Sequence, residues 1–406
     1  MGCVLSRYLK GISVLIVWIF LFEWISWANT TRETLAPTSV FDTESRDTSV
    51  EHKRHHDVKT ATDPFASNPI GLHLSASASR ASAYAIRVLA EHEPMRDFVA
   101  RLLTKRYSSW GLPPDLAMRI ITTLTHSKND PAAAITSVYS FISKDPAFAA
   151  AYHRYKSETK YDTAYSQISD LLDLPNAGGV VLDIGAGDLS LTTEIAKHRT
   201  NSQVIGVDIF PQQPPTLPNI RYIYQVDPLH IKGIEDGTVD VGVMHEVLHH
   251  IPYGDTQAFL KELRRVLKPN GRIVLIEDTF STNDSLLRDD PYIDLDATQE
   301  FKRLLEVYGV EFATRYFLPF NDWYGNHLIH RHFDMPLPNN FHSMEEWDAI
   351  FKASGFQTLY SVYTGFPAKS FHKPSIGIFV FSAEVMLPTH PLPTLLKELS
   401  TIASSL

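Results

Sequence analysis

Cysteine is almost absent from this 406-residue chain, because the only one is Cys3. A single thiol beside the amino terminus can form no disulfide framework within the chain and gives the rest of it no thiolate metal site. It also leaves the body of the protein without a cysteine nucleophile. Any chemistry therefore has to be carried by other side chains.

Positive charge is also in short supply, and the formal net charge is −9 at pH 7. Binding to nucleic-acid backbones needs a basic surface that displaces counterions. The acidic balance disfavours nucleic acid and favours small molecules or neutral partners. Hydrophobic residues make up 44% of the chain, which is enough to bury the core of one large domain or two smaller ones.

The first 28 residues predict a signal peptide or a membrane anchor. Arg7 and Lys10 precede an apolar run at 11–22, and tryptophans extend this run to Ala28. Small residues near its end favour cleavage by a peptidase, whereas the bulky tryptophans favour an interfacial anchor. The first six residues also fit the N-myristoylation pattern. We therefore expect membrane association or entry into the secretory pathway, and the side of the membrane stays open.

Composition divides the remainder of the chain. Apolar periodicity is missing after the first segment, which predicts a disordered tether. Helical patterns separated by proline-containing breaks follow, and Asp130 and Asp145 stand where they would cap the next helices. These changes predict a tether at 29–79, a helical region at 80–175, a catalytic domain at 176–385 and a carboxyl-terminal tail at 386–406.

A glycine turn after a buried strand is the first candidate site. The strand at 180–184 runs into Gly185, Ala186 and Gly187, and a helix follows from about Leu189. Glycines allow the backbone to approach a ligand closely, and the start of a helix offers free N–H groups. Any doubly wound sheet also needs a tight turn here, so this turn alone does not identify a ligand.

Polar side chains end the strands that follow. Asp208 ends the strand at 203–208, about twenty residues after the glycine turn, which is the spacing of a group that hydrogen-bonds ribose hydroxyls. Asp227 follows a third strand, and His245 ends a fourth. Because the carboxyl ends of parallel strands meet in one crevice, we expect a nucleotide-type cofactor there.

Three further strands complete the pattern. A turn at 268–271 precedes a strand at 272–276, and a final pair is predicted at about 356–364 and 375–383. Alternation of strands with amphipathic helices predicts an α/β fold with a doubly wound, mostly parallel, seven-stranded Rossmann-like sheet. The helical region precedes this sheet, and an insertion at 279–343 follows its fifth strand.

Four short motifs, in this order and spacing, resemble those of the class I S-adenosylmethionine-dependent methyltransferases, of the ubiquinone-biosynthesis or type 11 kind. The resemblance is close over about 180–278 and looser up to about 384. The motifs are Val-Leu-Asp-Ile-Gly-Ala-Gly (181–187), Gly-Val-Asp (206–208), Leu-His-His-Ile (248–251) and Leu-Lys-Pro-Asn-Gly-Arg (267–272).

The resemblance implies S-adenosylmethionine as cofactor and assigns its site position by position. The first motif would cradle the methionine and sugar, Asp208 would hold the ribose, and Ile209 and Asp227 would lie beside the adenine. Two positions depart from the family pattern. The family more often has a small residue beside the acid at Asp227, and a histidine is unusual at the position of His245. The expected cofactor-binding residues are Asp183, Gly185, Ala186, Gly187, Asp208, Ile209, Asp227 and His245.

Methyl transfer from a sulfonium is an in-line displacement, so the protein aligns the reactants and takes up a proton where the acceptor loses one. The candidate bases are Asp278, His249 and His327. Asp278 follows the fifth strand, near the expected acceptor. His249 belongs to a segment that often only packs beneath the cofactor, and His327 lies in the insertion at 279–343. Aromatic and polar residues there predict a pocket for a small-molecule or lipid-like acceptor.

A literal H-E-x-x-H occurs at 245–249. In a zinc protease both histidines lie on one face of a continuous helix. Here a strand runs directly into His245, and Pro252 interrupts the chain soon afterwards. We therefore expect no metal site from this motif, and none elsewhere.

Two other functions stay open on the sequence alone. An NAD-dependent oxidoreductase would share the strand, the glycine turn and the acid, with Ser190 at the third small position of its fingerprint. A non-catalytic S-adenosylmethionine-binding regulatory protein would keep the cofactor fold without turnover. Binding of S-adenosylmethionine would distinguish the regulatory protein from the oxidoreductase. Transfer of the methyl group to an acceptor would distinguish a methyltransferase from the regulatory protein.

Overall fold

The computed structural model describes residue 72 and residues 74–383, apart from 159–160, 173–177, 228 and 289. The expectations for the segment 1–28, for most of the tether and for the tail at 386–406 concern residues outside this described part. Within it, no helix combines the length and the apolar character that crossing a membrane requires.

Six helices precede the sheet in the described part of the chain. Asp130 accepts a hydrogen bond from the Ala133 N–H at 3.0 Å, and Asp145 accepts one from the Ala147 N–H at 2.9 Å. Both aspartates therefore cap helices, as the sequence predicts. The helices are α1 (Ala76–Glu91), α2 (Glu93–Ser109), α3 (Leu116–His126), α4 (Pro131–Ile142), α5 (Pro146–Glu158) and α6 (Tyr161–Ile168).

The seven-stranded sheet has the order β3-β2-β1-β4-β5-β7-β6. Neighbouring strands are parallel except β7, which runs antiparallel to β5 and to β6. The predicted Rossmann-like fold is confirmed. The strands are β1 (Val180–Ile184), β2 (Gln203–Asp208), β3 (Ile220–Tyr224), β4 (Val239–His245), β5 (Leu267–Asp278), β6 (Gln357–Gly365) and β7 (Ile376–Ser382).

Helices cover both faces of the sheet. They are α7 (Ser190–His198), α8 (Thr256–Val266) and, after the insertion, α11 (Met344–Ala353). Successive residues of β1 point to opposite faces, so Val181 shares a core with Ile195 of α7, whereas Leu182 shares one with Leu260 of α8. The faces are thus closed by apolar packing, and the carboxyl ends of the strands are left for the site.

The fifth strand begins earlier than the sequence predicts. Helix α8 ends at Val266, and β5 starts at the next residue instead of at Arg272. The pairing with β4 passes from Leu267 directly to Arg272, so the expected turn at 268–271 is a bulge inside the strand. Proline and glycine in this stretch produce the bulge without ending the strand.

The insertion folds mainly as helices. A 3₁₀ turn lies at Asp284–Leu286, followed by α9 (Leu295–Tyr308) and α10 (Leu318–Trp323), and π-helical segments flank α10 at Phe312–Phe317 and Tyr324–Ile329. π-helical segments are rare and occur frequently at functional sites.

The insertion and helices α1–α5 share one hydrophobic core. The Trp323 indole N–H donates to the Ser82 hydroxyl at 2.9 Å, and the Tyr139 hydroxyl donates to the His327 carbonyl at 3.0 Å. Phe280, just past β5, and Phe366, just past β6, belong to the same core. The two helical parts therefore form one layer at the carboxyl ends of β5 and β6.

Candidate functional site

The glycine turn between β1 and α7 has a backbone that a ligand can approach closely. Gly185 and Gly187 are exposed and have φ angles of +69° and +52°. A Cβ atom at Gly185 would lie 2.5 Å from a Val247 methyl group in the segment after β4. Since α7 and α8 leave β1 and β4 toward opposite faces of the sheet, this turn borders the crevice where the strand order reverses.

Asp208 joins the end of β2 to this turn. Its Oδ2 accepts the Gly187 N–H at 2.7 Å, and its Oδ1 accepts the Phe210 N–H at 2.9 Å. Burial raises the pKa of the Asp208 carboxyl, and these N–H groups oppose the rise. A carboxylate has about four lone-pair sites, so the side chain can also accept a hydrogen bond from a ligand in the crevice.

Asp183 supports the turn from within the fold. Its Oδ2 accepts the hydroxyl of Thr192, in α7, at 2.6 Å. Burial of this carboxyl, which is 2% exposed, raises its pKa to about 7. The hydrogen bond fastens β1 to α7 beneath the glycines. Ala186 is also buried, and it packs against Gly206 of β2.

The other three expected cofactor residues lie in different surroundings. Asp227 is exposed beyond the end of β3, where its carboxylate accepts the Leu229 N–H at 2.9 Å. His245 ends β4, with its Nε2 atom 3.3 Å from Glu246 Oε1 and 3.3 Å from Lys373 Nζ. Ile209 follows Asp208 and is half-buried.

An ion pair at the end of β4 was not foreseen. Glu246 has a left-handed backbone, with φ +58°, and its Oε1 lies 2.5 Å from the Lys373 ammonium. Burial opposes charge on Lys373, but the Glu246 carboxylate outweighs it and raises the lysine pKa. In the sequence, Glu246 belongs to the apparent zinc motif at 245–249. Its partner is more than a hundred residues away, so no local pattern reveals the pair.

Asp278 ends β5, the neighbour of β4. Its Oδ1 is buried and has no hydrogen-bond partner among the described residues. Burial and the nearby Glu246 carboxylate raise the pKa of Asp278 well above its ordinary value. An unpaired buried polar atom costs about 1–3 kcal/mol, so the arrangement is suited to a ligand that hydrogen-bonds here.

His249 is held between two carboxyl groups. Its Nδ1 is hydrogen-bonded to Glu277, and its Nε2 is 3.6 Å from Asp322 Oδ1. Burial opposes protonation, but both carboxylates outweigh it and raise the pKa of His249 well above its ordinary value. The residue lies on the 3₁₀ turn Leu248–His250, and β4 ends at His245, so the apparent zinc motif lies on no continuous helix.

His327 is placed in the helical layer, on the π-helical segment after α10. Its Nε2 is 3.3 Å from the Met335 carbonyl, and its Nδ1 is buried with no hydrogen-bond partner among the described residues. Burial lowers its pKa, which keeps the ring neutral near pH 7. The carboxylates of Asp322 and Asp334 oppose this decrease in the pKa of His327.

The helical layer contributes polar groups that the sequence did not single out. Arg106 of α2 is 2% exposed, and none of its three guanidinium nitrogens has a hydrogen-bond partner among the described residues. Burial lowers its pKa to about 10, so it stays charged. Tyr155 of α5 interacts electrostatically with Arg106 and also with Lys373, Glu246 and Asp278. Tyr155 therefore lies between this arginine and the ends of β4 and β5.

Comparison with known proteins agrees with the geometry. Residues 182–273 match the family model described as a methyltransferase domain. No curated protein sequence matches the chain. The matched residues run from β1 into β5 and so include the glycine turn, Asp208 and the turn with His249.

Solved structures with similar folds include 1,6-didemethyltoxoflavin-N1-methyltransferase from Burkholderia thailandensis, with 16% identity, coverage of 59% of this chain and 86% of that one, and a TM-score of 0.36. A SAM-dependent methyltransferase from Aquifex aeolicus is 18% identical, with coverage of 60% and 97% and a TM-score of 0.34. Geranyl diphosphate C-methyltransferase from Streptomyces coelicolor is 14% identical, with coverage of 58% and 81% and a TM-score of 0.35. These likenesses are too remote to bear on substrate or mechanism.

The strand order, the crevice between β1 and β4 and the match over residues 182–273 agree with one another. Together they show a Rossmann-like fold in which residues 182–273 match a methyltransferase domain.

Proposed function

We propose that the chain transfers a methyl group from S-adenosylmethionine to a small-molecule acceptor held between the end of β5 and the helical layer. One observation carries this proposal. The glycine turn with Asp208 lies at the ends of β1 and β2. Asp278, whose buried Oδ1 has no hydrogen-bond partner among the described residues, lies two strands from β1 along the same edge.

The crevice fits the cofactor. The cofactor supplies an electrophilic methyl group on a sulfonium. Gly185 and Gly187 leave the backbone accessible, and Asp208 has acceptor capacity for the ribose hydroxyls. Ile209 and Asp227 would contact the adenine, and His245 the remainder of the cofactor. Asp183 and Ala186 act indirectly, since both are buried and support the turn.

Asp278 is the proposed base. For an oxygen or nitrogen acceptor, the carboxylate takes the proton that the acceptor gives up as its new bond to carbon forms. Its Oδ1, which has no hydrogen-bond partner in the described part of the chain, would accept the hydrogen bond that orients this acceptor. His249 and His327 are placed differently: the first is bonded to Glu277, and the second lies beside Met335. We propose positioning roles for both.

Arg106 supports an acceptor with an anionic group. A buried guanidinium without a hydrogen-bond partner is costly, and carboxylate or phosphate oxygens match its planar donors. We also propose that segment 1–28 brings the domain to a membrane, which would suit a lipid-like acceptor. This part rests on the sequence alone.

Methyl transfer is tested with donor labelled on the methyl group, incubated with the full chain and an extract divided into aqueous and lipid fractions. We expect label in a small molecule with wild-type protein and a loss of at least about a hundredfold in rate with Asp278→Asn, as is typical when a general base is removed. The Arg106→Met variant should raise KM far more than it lowers kcat.

Two results would contradict parts of this proposal. Donor binding without transfer in any fraction would favour the regulatory alternative over the enzyme. Full activity of Asp278→Asn would remove the assignment of the base while leaving the cofactor site intact.

A further inference from the structure

Three side chains from two distant segments converge beside the site. His249 and His250 lie on the turn after β4, and Asp322 lies in α10 of the insertion. One ligand atom from each residue lies within 4.8 Å of the other two. Asp322 Oδ1 is 3.6 Å from His249 Nε2 and 3.9 Å from His250 Nε2.

The Nδ1 atom of each histidine already has a hydrogen-bond partner. His249 Nδ1 is hydrogen-bonded to Glu277, and His250 Nδ1 is 2.8 Å from the Pro336 carbonyl. A proton on Nδ1 makes Nε2, the atom that faces Asp322, the nitrogen available to a metal ion, which would displace any proton that Nε2 carries. Metal-binding histidines are commonly held in this way, by a carboxylate or a carbonyl on the far nitrogen.

Buried carboxylates give the cluster an excess of negative charge. Glu277 and Asp322 are 0% and 4% exposed, and neither has a lysine or arginine within ion-pair distance in the part of the chain that the structure describes. Asp322 Oδ1 accepts the Asn326 amide at 2.6 Å, whereas its Oδ2 is buried without a partner there. His249 can supply one positive charge between these two carboxylates, and a divalent cation that replaces its Nε2 proton would supply two and neutralise the cluster.

We propose that His249, His250 and Asp322 bind a divalent first-row transition metal ion of the zinc type. Two imidazole nitrogens and one carboxylate suit zinc or iron(II), whereas magnesium and calcium prefer oxygen ligands. Tetrahedral ligands at about 2.1 Å from zinc lie about 3.4 Å apart. The observed 3.6 Å and 3.9 Å therefore need only a small closure.

The site differs from the apparent H-E-x-x-H, because His245 takes no part in it and Asp322 comes from the insertion. It also departs from the expectation that the chain binds no metal. The ion would fasten α10 to the turn after β4, and so fix the helical layer over the carboxyl end of the sheet. The inference rests on this cluster and not on methyl transfer.

The test uses the full chain without an affinity tag and with His52, His55 and His56 replaced by serine, since these histidines could bind metal independently. Protein stripped with a chelator is titrated with Zn²⁺ by calorimetry and with Co²⁺ by visible absorption. We expect one ion per chain, a cobalt spectrum typical of nitrogen and oxygen ligands, and a rise in Tm with Zn²⁺.

Asp322→Asn keeps an oxygen for the Asn326 amide but removes the ligand charge, and His250→Gln removes a ligand nitrogen. Each should weaken Zn²⁺ binding beyond the 10- to 100-fold that typically follows loss of an outer hydrogen-bond partner. His198→Gln, on the exposed end of α7, is the matched control and should bind as the parent does.

Failure of the stripped parent to bind either ion would overturn the proposal. Parental Zn²⁺ affinity in folded Asp322→Asn or His250→Gln would also overturn it. If Asp322→Asn does not fold, His250→Gln decides, and the metal-free melting curve of each variant shows which case applies.

Discussion

The substitution Asp183→Asn should remove part of the pH dependence of stability. The Asp183 carboxyl is buried and accepts the Thr192 hydroxyl, and its pKa rises from 3.8 to about 7 on folding. A carboxyl whose pKa is raised by folding stabilises the fold fully below the unfolded value of 3.8, and this contribution is lost as the pH rises through about 7. Asparagine stays neutral and can still accept the hydroxyl.

The size of the effect follows from the same shift. Between pH 5.5 and pH 8 the unfolded carboxyl is already ionised, while the folded one loses most of its proton. Linkage then gives a loss of about 2 kcal/mol in the free energy of unfolding of wild-type protein, which the asparagine variant should not show.

Urea unfolding at both pH values, followed by tryptophan fluorescence without added cofactor, measures this difference. Every other titratable group is shared, so its contribution cancels between the two proteins. Parallel pH dependence in both, or a wild type that gains stability relative to the variant as the pH rises, would refute the reasoning.

Three further substitutions, with Gly237→Ala as a control for the first, test the glycine turn, Asp208 and the helical layer. Gly185→Ala should weaken donor binding and destabilise the fold by at least about 1 kcal/mol, because it adds a close contact to a strained φ. Gly237→Ala, with φ +64° and nothing within 4 Å, carries strain alone and should leave donor affinity unchanged in calorimetry. Asp208→Ala should lower donor affinity by more than about tenfold in equilibrium dialysis. Ser82→Ala leaves the buried Trp323 N–H without its acceptor and should cost about 1–3 kcal/mol in urea unfolding.

For each of these predictions, one outcome would contradict it. Equal donor affinity in Gly185→Ala and Gly237→Ala would mean that the crevice does not need the close approach. Wild-type affinity in Asp208→Ala would remove this residue from the site. Unchanged stability of Ser82→Ala would show that the indole group finds another partner.

The sheet could be predicted because its signals are local. Runs of β-branched residues, glycine breaks and amphipathic helices each extend over a few residues, and the observed strands lie close to the predicted ones. The main error concerns β5. Residues 268–271 have the composition of a turn, but pairing with β4 on both sides keeps them inside one strand.

The position of Asp208 beside the glycine turn could also be predicted in outline, since it follows the turn at a fixed spacing. The contacts at the ends of β4 and β5 could not, because they join residues far apart in sequence. Glu246 pairs with Lys373, and His249 lies beside Asp322. Only the packing of the insertion onto the ends of the strands brings them together.

The sequence position of Arg106 also indicates a buried charge. It lies on the buried face of α2 together with Leu102, Leu103 and Tyr107. An arginine at an apolar position of an amphipathic helix implies either an ion pair or a ligand. The structure shows no hydrogen-bond partner for its guanidinium among the described residues, which favours the ligand.

Calorimetric titration of the full chain with S-adenosylmethionine is the most direct test of the cofactor site. We predict one donor molecule per chain, competition by S-adenosylhomocysteine and strong loss of affinity in Asp208→Ala. A correctly folded wild-type chain that binds neither compound would contradict the assignment of the crevice between β1 and β4.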